Sequence, residues 1–465
     1  MNGLVFALCA LGLPVIASAA PSVQRPGPAD SLVVHEWGTF TSFQDHDGAT
    51  IAGINVDDEP VPEFVHRLTG LHIYTNSAHF TAKGVATCHK DVTLRLETPV
   101  LYFYPGTAFP GDQSIDVTAA FPAGWLTEFF PRAKATAPGF PAQLTAATRG
   151  TLAWSDLTLA NQGGKLTTTS EAVWLAPRNV RAAAVTTANR QETEKYLFYR
   201  GVGHLDAPLV IKQAGGAVSI AMREQSTLDR WPQSWLVRVG SDGRVWYRAL
   251  SSADAKNGAI SVSLANATAT NLRRLRTELA RGLIDAGLFE DEAQAMLDTW
   301  QQSYFASAGL RLFFLLPQAW TDAHLPLTVS VPAETTRVMM GRIELISEEQ
   351  QAALRALYAL PDAALNVEMP FALFFKGAEA LSDQQRQARW SELMSIYGSK
   401  PSLSDAYRAV GHDVPEAAQL YDQLGRFRDP LLGHEYATTS DPAVRQRIGR
   451  IMSQFSSCVT LPQES

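Results

Sequence analysis

From Leu32 to about Ala265, apolar and polar residues alternate in short runs broken by turn residues, the pattern of half-buried strands. SWLVRVGSDGRVWYRAL, Ser234 to Leu250, reads as a hairpin because Ser241-Asp242-Gly243 supplies a residue at ease with positive φ between two alternating runs. APLVIKQAGGAVSIAM repeats that layout around Gly215-Gly216, and GTLAWSDLTLA, KYLFYRGVGH and GAISVSLANAT read as further strands. After Ala265 the period changes from two to about 3.6. Leucines 272, 275, 279 and 283 share one helical face, and Met296, Trp300 and Tyr304 form a second stripe. LRLFFLLP and RVMMGRIELI then return to strand. Beyond Ser347 the pattern is helical: Ser347 with Gln350 and Ser382 with Gln385 match the capping box, and Ser440-Asp441-Pro442 opens a last helix. The prediction is an α+β fold: an antiparallel, sandwich-like β-rich body over 32–346, a helical insertion near 271–305, and a helical C-terminal region over 347–465.

Length adds little to this picture, since 465 residues allow two packed units or one large composite domain. Charge adds more. Only 18% of residues are charged and the formal net charge is -7, so no broad basic surface exists to neutralise a phosphate backbone, which excludes nucleic acid as an expected partner. Residues 1–19 are apolar and end in Ala17-Ser18-Ala19, a small-x-small pattern that predicts a secretory signal cut after Ala19. Residues 20–31, rich in proline, read as a leader. No later apolar run reaches about 18 residues, so no integral membrane span is expected. Cleavage would leave Cys88 and Cys458, an even pair that predicts a disulfide in a periplasmic or secreted protein; two separate buried thiols is the competing reading.

Candidate chemistry concentrates near the N-terminus. Six of the ten histidines, at 35, 46, 66, 72, 79 and 89, fall in a short interval where even spreading would place about one, and His-rich tracts suggest metal. Acidic residues accompany them, including Asp57 and Asp58 in the Pro-bracketed loop before His66. Imidazole plus carboxylate suits a divalent metal such as zinc, iron or manganese. His35, His66, His89, Asp57 and Asp58 are the ligand candidates. DHDGAT, Asp45 to Thr50, reads as an Asp-Gly turn more readily than as a calcium loop.

VVHEWGTFTS places His35 beside Glu36 on a strand. Alternate side chains face opposite ways, so His35 shares a face with Val33 and Trp37, and Glu36 with Val34 and Phe40. In VTLRLETPVLYFY, Arg95 and Glu97 share a face, and Pro99 predicts a bend or an edge position. Glu36 therefore has two readings: a buried ion network with Arg95 and Glu97, or one half of a Glu36/Glu97 carboxylate pair for acid/base hydrolysis. No serine elbow, phosphate loop or dinucleotide fingerprint occurs.

HEWGTFTS, DDEPVPEFVH, RLETPVLYFY and KYLFYRG together resemble a family of large exported bacterial proteins of uncharacterised function. The resemblance covers most of the chain after the signal. It implies export and bacterial origin and transfers no site residues. The functional expectation is an exported metal-assisted hydrolase in which Glu36 or Glu97 serves as general base. Two alternatives stand beside it: a noncatalytic periplasmic or secreted envelope protein binding a small molecule, peptide or glycan, and a metal-free carboxylate-pair glycoside hydrolase.

Overall fold

The run of β-branched and aromatic residues from Leu32 to Gln44 forms the central strand of the molecule, and all thirteen of its residues are buried. The computed structural model describes residues 31–456 and 458, apart from 57–60, 69–80, 83–84, 111–112, 137–142, 161–164, 225–227, 257, 265–270 and 400–401. The predicted signal 1–19 and nearly all of the leader 20–31 lie outside the described residues.

One neighbour of the central strand is Leu94–Pro105, paired antiparallel; the other is Ala333–Leu345, paired parallel. Around this trio grows a fifteen-stranded sheet. Its main path runs through Thr193–Glu194, Ala184–Thr186, Arg149–Ala160, Gly124–Phe130, Leu197–Gly203, Leu94–Pro105, Leu32–Gln44, Ala333–Leu345, Gly309–Leu316, Ser234–Val239 and Val245–Leu250. Nearly all pairings are antiparallel, so the protein is α+β with a large, mostly antiparallel sheet. A smaller sheet of Leu209–Ala214, Ala217–Met222 and Ala259–Ser263 packs on one face. Both predicted hairpins form, with Gly243 at φ 75 in one and Gly215 and Gly216 at φ 56 and 73 in the other.

Alternation along the central strand feeds two cores. Leu32, Val34 and Phe40 join a core shared with the small sheet and the C-terminal helices, through Ile211, Leu357, Leu431 and Ile448. Val33 and Trp37 join a second core, roofed by the helical insertion. That insertion comprises Leu272–Asp285 and Glu290–Thr299, then a π-helical stretch Gln301–Ala306. Leu279, Leu283, Met296, Trp300 and Tyr304 are all fully buried, which is the use of the two predicted stripes. Arg311 Nη1 and Nη2 donate to the carbonyls of Ser303, Tyr304, Ser307 and Ala308, satisfying backbone acceptors where the helix ends.

Pro99 bends its strand without moving it to an edge. Thr98 takes φ 45, the register slips between Trp37 and Thr39, and a Cβ on Gly38 would sit 3.0 Å from Pro99 Cα. The glycine of HEWGT lets the kinked strand approach. One further helix, Gln318–His324, had no sequence expectation. Strand ends at Leu345 and helices follow to Phe455, with the Ser347/Gln350 and Ser382/Gln385 boxes formed and Asp441 capping Pro442–Phe455. Cys88 and Cys458 form a disulfide with Cα atoms 5.5 Å apart. Among the described residues no helix is long and apolar enough to cross a membrane.

Candidate functional site

His35 and Glu36 do enter separate environments. His35 faces the second core, where its Nδ1 lies 2.8 Å from Oε2 of Glu292. Glu292 stands in the first turn of Glu290–Thr299, and its Oε2 also accepts the Phe289 backbone N–H at 2.7 Å. Its Oε1 accepts the Tyr104 hydroxyl at 2.6 Å. Neighbours hold the imidazole tightly: the Phe289 ring stacks on it at 4.5 Å, and Tyr104 meets it edge-on at 5.4 Å. His35 is 4% exposed and Glu292 is 0% exposed, so the carboxylate is shielded and the ring is nearly so. A carboxylate on Nδ1 places the ring proton there and leaves the Nε2 lone pair as the reactive edge. Nε2 has no hydrogen-bond partner among the described residues.

His35 also lines a cavity of about 670 Å³ at the end of the sheet. His35, Tyr104 and Phe289 line it together with Arg181, Lys195, Glu334 and Thr336. Thr336 is the register partner of His35 on the parallel neighbour strand. The lining mixes apolar side chains, Val33, Pro105 and Phe289, with these polar and charged ones.

Glu36 is on the opposite face and carries a different kind of interaction. Tyr199 donates its hydroxyl to Oε1, Arg337 Nε donates to Oε2 at 2.6 Å, and Arg337 Nη1 reaches Asp322 at 2.9 Å. Burial disfavours charge on Arg337, but the attraction of Glu36, with Tyr199, outweighs it and holds the guanidinium above its usual range. Burial, then the Glu36 charge, pushes the Tyr199 hydroxyl well up.

Glu97 belongs to a third environment. Its register partner Thr39 bonds Tyr304 of the second core, so Glu97 lies on the face away from Glu36. Arg95 Nε stands 3.1 Å from Glu97, and Arg342 Nη2 donates to it at 3.2 Å. The chain of charge continues through Glu344, 3.5 Å from Arg342 and 3.3 Å from Arg311. The single network of Glu36, Arg95 and Glu97 expected from sequence is therefore two networks on opposite faces. The two glutamates do not flank a common space, and neither lines the His35 cavity.

The predicted metal ligands are also dispersed. His66 Nε2 lies 2.6 Å from Glu192, whose other oxygen accepts the Arg132 backbone N–H at 2.6 Å, and the ring stacks over Phe130. His89 accepts the Asp91 backbone N–H at 3.3 Å and packs edge-on against Trp125. Asp57 and Asp58, with His72 and His79, lie outside the described residues. Among the described residues, no group of three His, Cys, Asp or Glu with ligand atoms within 4.8 Å of one another includes His35, His66 or His89. One such group exists, Cys88, Asp429 and Cys458, and its cysteines are the disulfide. Asp45 accepts the backbone N–H groups of Asp47 and Ala49 around Gly48 at φ 81, so DHDGAT is a turn, which His434 joins at 3.1 Å.

Sequence reasoning missed Glu292, Tyr104, Arg181 and Lys195. The available signal was FEDEAQ: Glu292 is the N3 position of a helix start, where a glutamate reaches back to the backbone. Phe289 in place of Ser or Thr hid the box, and the separation of 257 residues hid the partner.

No family model and no curated protein matches the chain. Among solved structures it is similar to the Fcho1 Mu homology domain of Danio rerio with bound Eps15 peptide, at 9% identity, covering 68% of this chain and 96% of that chain, with a TM-score of 0.24. A likeness at that score carries no argument about fold or function.

Proposed function

We propose that this protein is an exported hydrolase in which His35, oriented by Glu292, is the general base that activates water against a small substrate held in the adjoining cavity. The observation that carries the reading is a nearly buried imidazole with a shielded carboxylate on Nδ1, on a residue that lines a cavity. Nε2 takes the proton of the attacking water, and Glu292 compensates the imidazolium that forms; the ring returns the proton to the leaving group. Tyr104 and the Phe289 backbone N–H hold Glu292, so the base is preorganised. Export is supported by the signal-like N-terminus and by the disulfide. The expectation of a divalent metal is kept as an alternative for the same nitrogen, which can be a ligand or a base but not both at once. Glu36 and Glu97, both taken by arginines, have no role in the reaction.

The test is a screen of untagged, full-length protein against esters, phosphoesters, peptides and glycosides, with metal content measured in parallel. His35→Ala should abolish any activity found, a loss of about a hundredfold or more. Glu292→Gln should lower kcat and change the pH–rate profile, since it acts through the ring. Full activity in folded His35→Ala overturns the proposal. Near-stoichiometric metal lost in that variant would make His35 a ligand instead, and no turnover on any substrate class would leave a binding protein.

A further inference from the structure

The cavity beside His35 is asymmetric in charge. Lys195, half-buried, lines it on one side, and its ammonium makes no ion pair or hydrogen bond among the described residues. Arg181 lines the same cavity, anchored by Asp291, which accepts its backbone N–H at 3.0 Å and approaches Nε at 3.4 Å. Across the sheet end stands Glu334, the register partner of Val33. Lys195 leads into the strand Leu197–Gly203, and Glu334 is on Ala333–Leu345, three strands away in the order of the sheet. At about 4.8 Å per strand the two lie roughly 14 Å apart, with His35 on a strand between them.

We infer that the natural ligand of this cavity carries an oxyanionic group, a carboxylate or a phosphate, that docks on the Lys195 and Arg181 side of His35. The inference rests on the proposed site and adds the class and direction of its substrate. An entering anion supplies the Lys195 ammonium with a partner, and the attraction is stronger in the recess of a cavity than in open water. Glu334 repels the same group from the opposite end, so the anion can lie on one side only. The reacting bond then falls over Nε2, a few ångströms from the anion, in a molecule spanning less than the width of the cavity. Arg181 contributes its Nη groups, since the contacts of Asp291 to it are through Nε and the backbone N–H.

The probes are inorganic phosphate and acetate, each titrated into full-length, disulfide-intact protein while the His35 imidazole is followed by nitrogen NMR, its resonance assigned by loss in His35→Ala. Saturable perturbation of the His35 signal by either anion is expected. Lys195→Gln should weaken that binding about tenfold or more, Lys195→Arg should restore most of it, and Glu334→Gln should leave it unchanged or tighten it. Tighter phosphate binding indicates a phosphate-bearing substrate, and tighter acetate binding a carboxylate-bearing one. The absence of saturable binding by both anions, or equal binding in folded Lys195→Gln, overturns the inference. Activity on a neutral ester that depends on His35 in protein that binds neither anion would retain the hydrolase and remove only the anion. Anion binding without turnover would do the reverse.

Discussion

Glu36→Gln isolates the buried Glu36–Arg337 pair, whose glutamate the sequence offered both as part of an ion network and as a catalytic carboxylate. The substitution keeps volume and removes one charge. Arg337, whose side chain is 1% exposed, then retains Asp322 at 2.9 Å as its charged partner, and that carboxylate is 51% exposed. A pair with so wet a partner contributes about 0–1 kcal/mol and compensates poorly for a buried guanidinium. Stripping one partner from a buried ion pair costs about 3–5 kcal/mol; with the residual help from Asp322, the lower end, about 3 kcal/mol, is expected. Tyr199 limits the further loss, because its hydroxyl can turn to accept from the new amide. Adding Arg337→Met should recover part of the loss, since no charge is then stranded, giving a coupling of about 2 kcal/mol in the double-mutant cycle. Urea unfolding followed by tryptophan fluorescence, with constant m-value, measures all four proteins. A Glu36→Gln cost under about 1 kcal/mol, or a double variant as unstable as the sum of its parts, would refute the reasoning.

Two further outcomes follow from groups already described. The Cys88–Cys458 bond spans a sequence separation of 370, for which loop entropy alone gives about 6 kcal/mol, an upper figure that native strain reduces. Denatured, unreduced protein lacking residues 1–19, and so Cys9, should show no free thiol, and reduction should lower the urea midpoint; two reactive thiols per such chain would exclude the bond. Glu128 is buried, which raises its pKa, but Arg200 and Arg67 together more than reverse that and hold the carboxyl below its ordinary 4.5. A depressed carboxyl contributes stability that is complete above about pH 4.5 and is lost as pH falls through the folded value. The melting temperature should therefore fall on acidification below that point with a shallower slope in Glu128→Gln, and parallel slopes would count against the pair.

Local chemistry was the legible part. Gly243 and Gly215-Gly216 announce their hairpins because only positive φ closes such turns, and Asp441-Pro442 announces a helix because cap and N1 preferences are local. Alternation also assigned His35 and Glu36 to opposite faces. It said nothing of what each face would meet. The partner of His35 is 257 residues away, and that of Glu36 is 301 away. Pro99 left two answers open for the same reason: a proline predicts a missing donor, and of the bend and the edge position that it allows the structure takes the bend, relieved by Gly38. Among the described residues the histidine cluster is one of composition and not of space: His35 and His66 are on separate strands, each with its own glutamate, and His46 and His89 lie outside the strands.

The parallel pairing of Leu32–Gln44 with Ala333–Leu345 also fixes an order of assembly. As the chain emerges from its N-terminus, the central strand can find its antiparallel neighbour early, but its other edge stays unpaired until about 300 more residues have followed. Until then the backbone groups of this fully buried strand are an open edge, available to other chains. The helix bearing Glu292 emerges before that last neighbour, and its packing face is built partly on it, through Val338 and Met340. The cavity is thus a late product of synthesis, and a nascent chain holds the imidazole long before it holds the walls that would make it a catalyst.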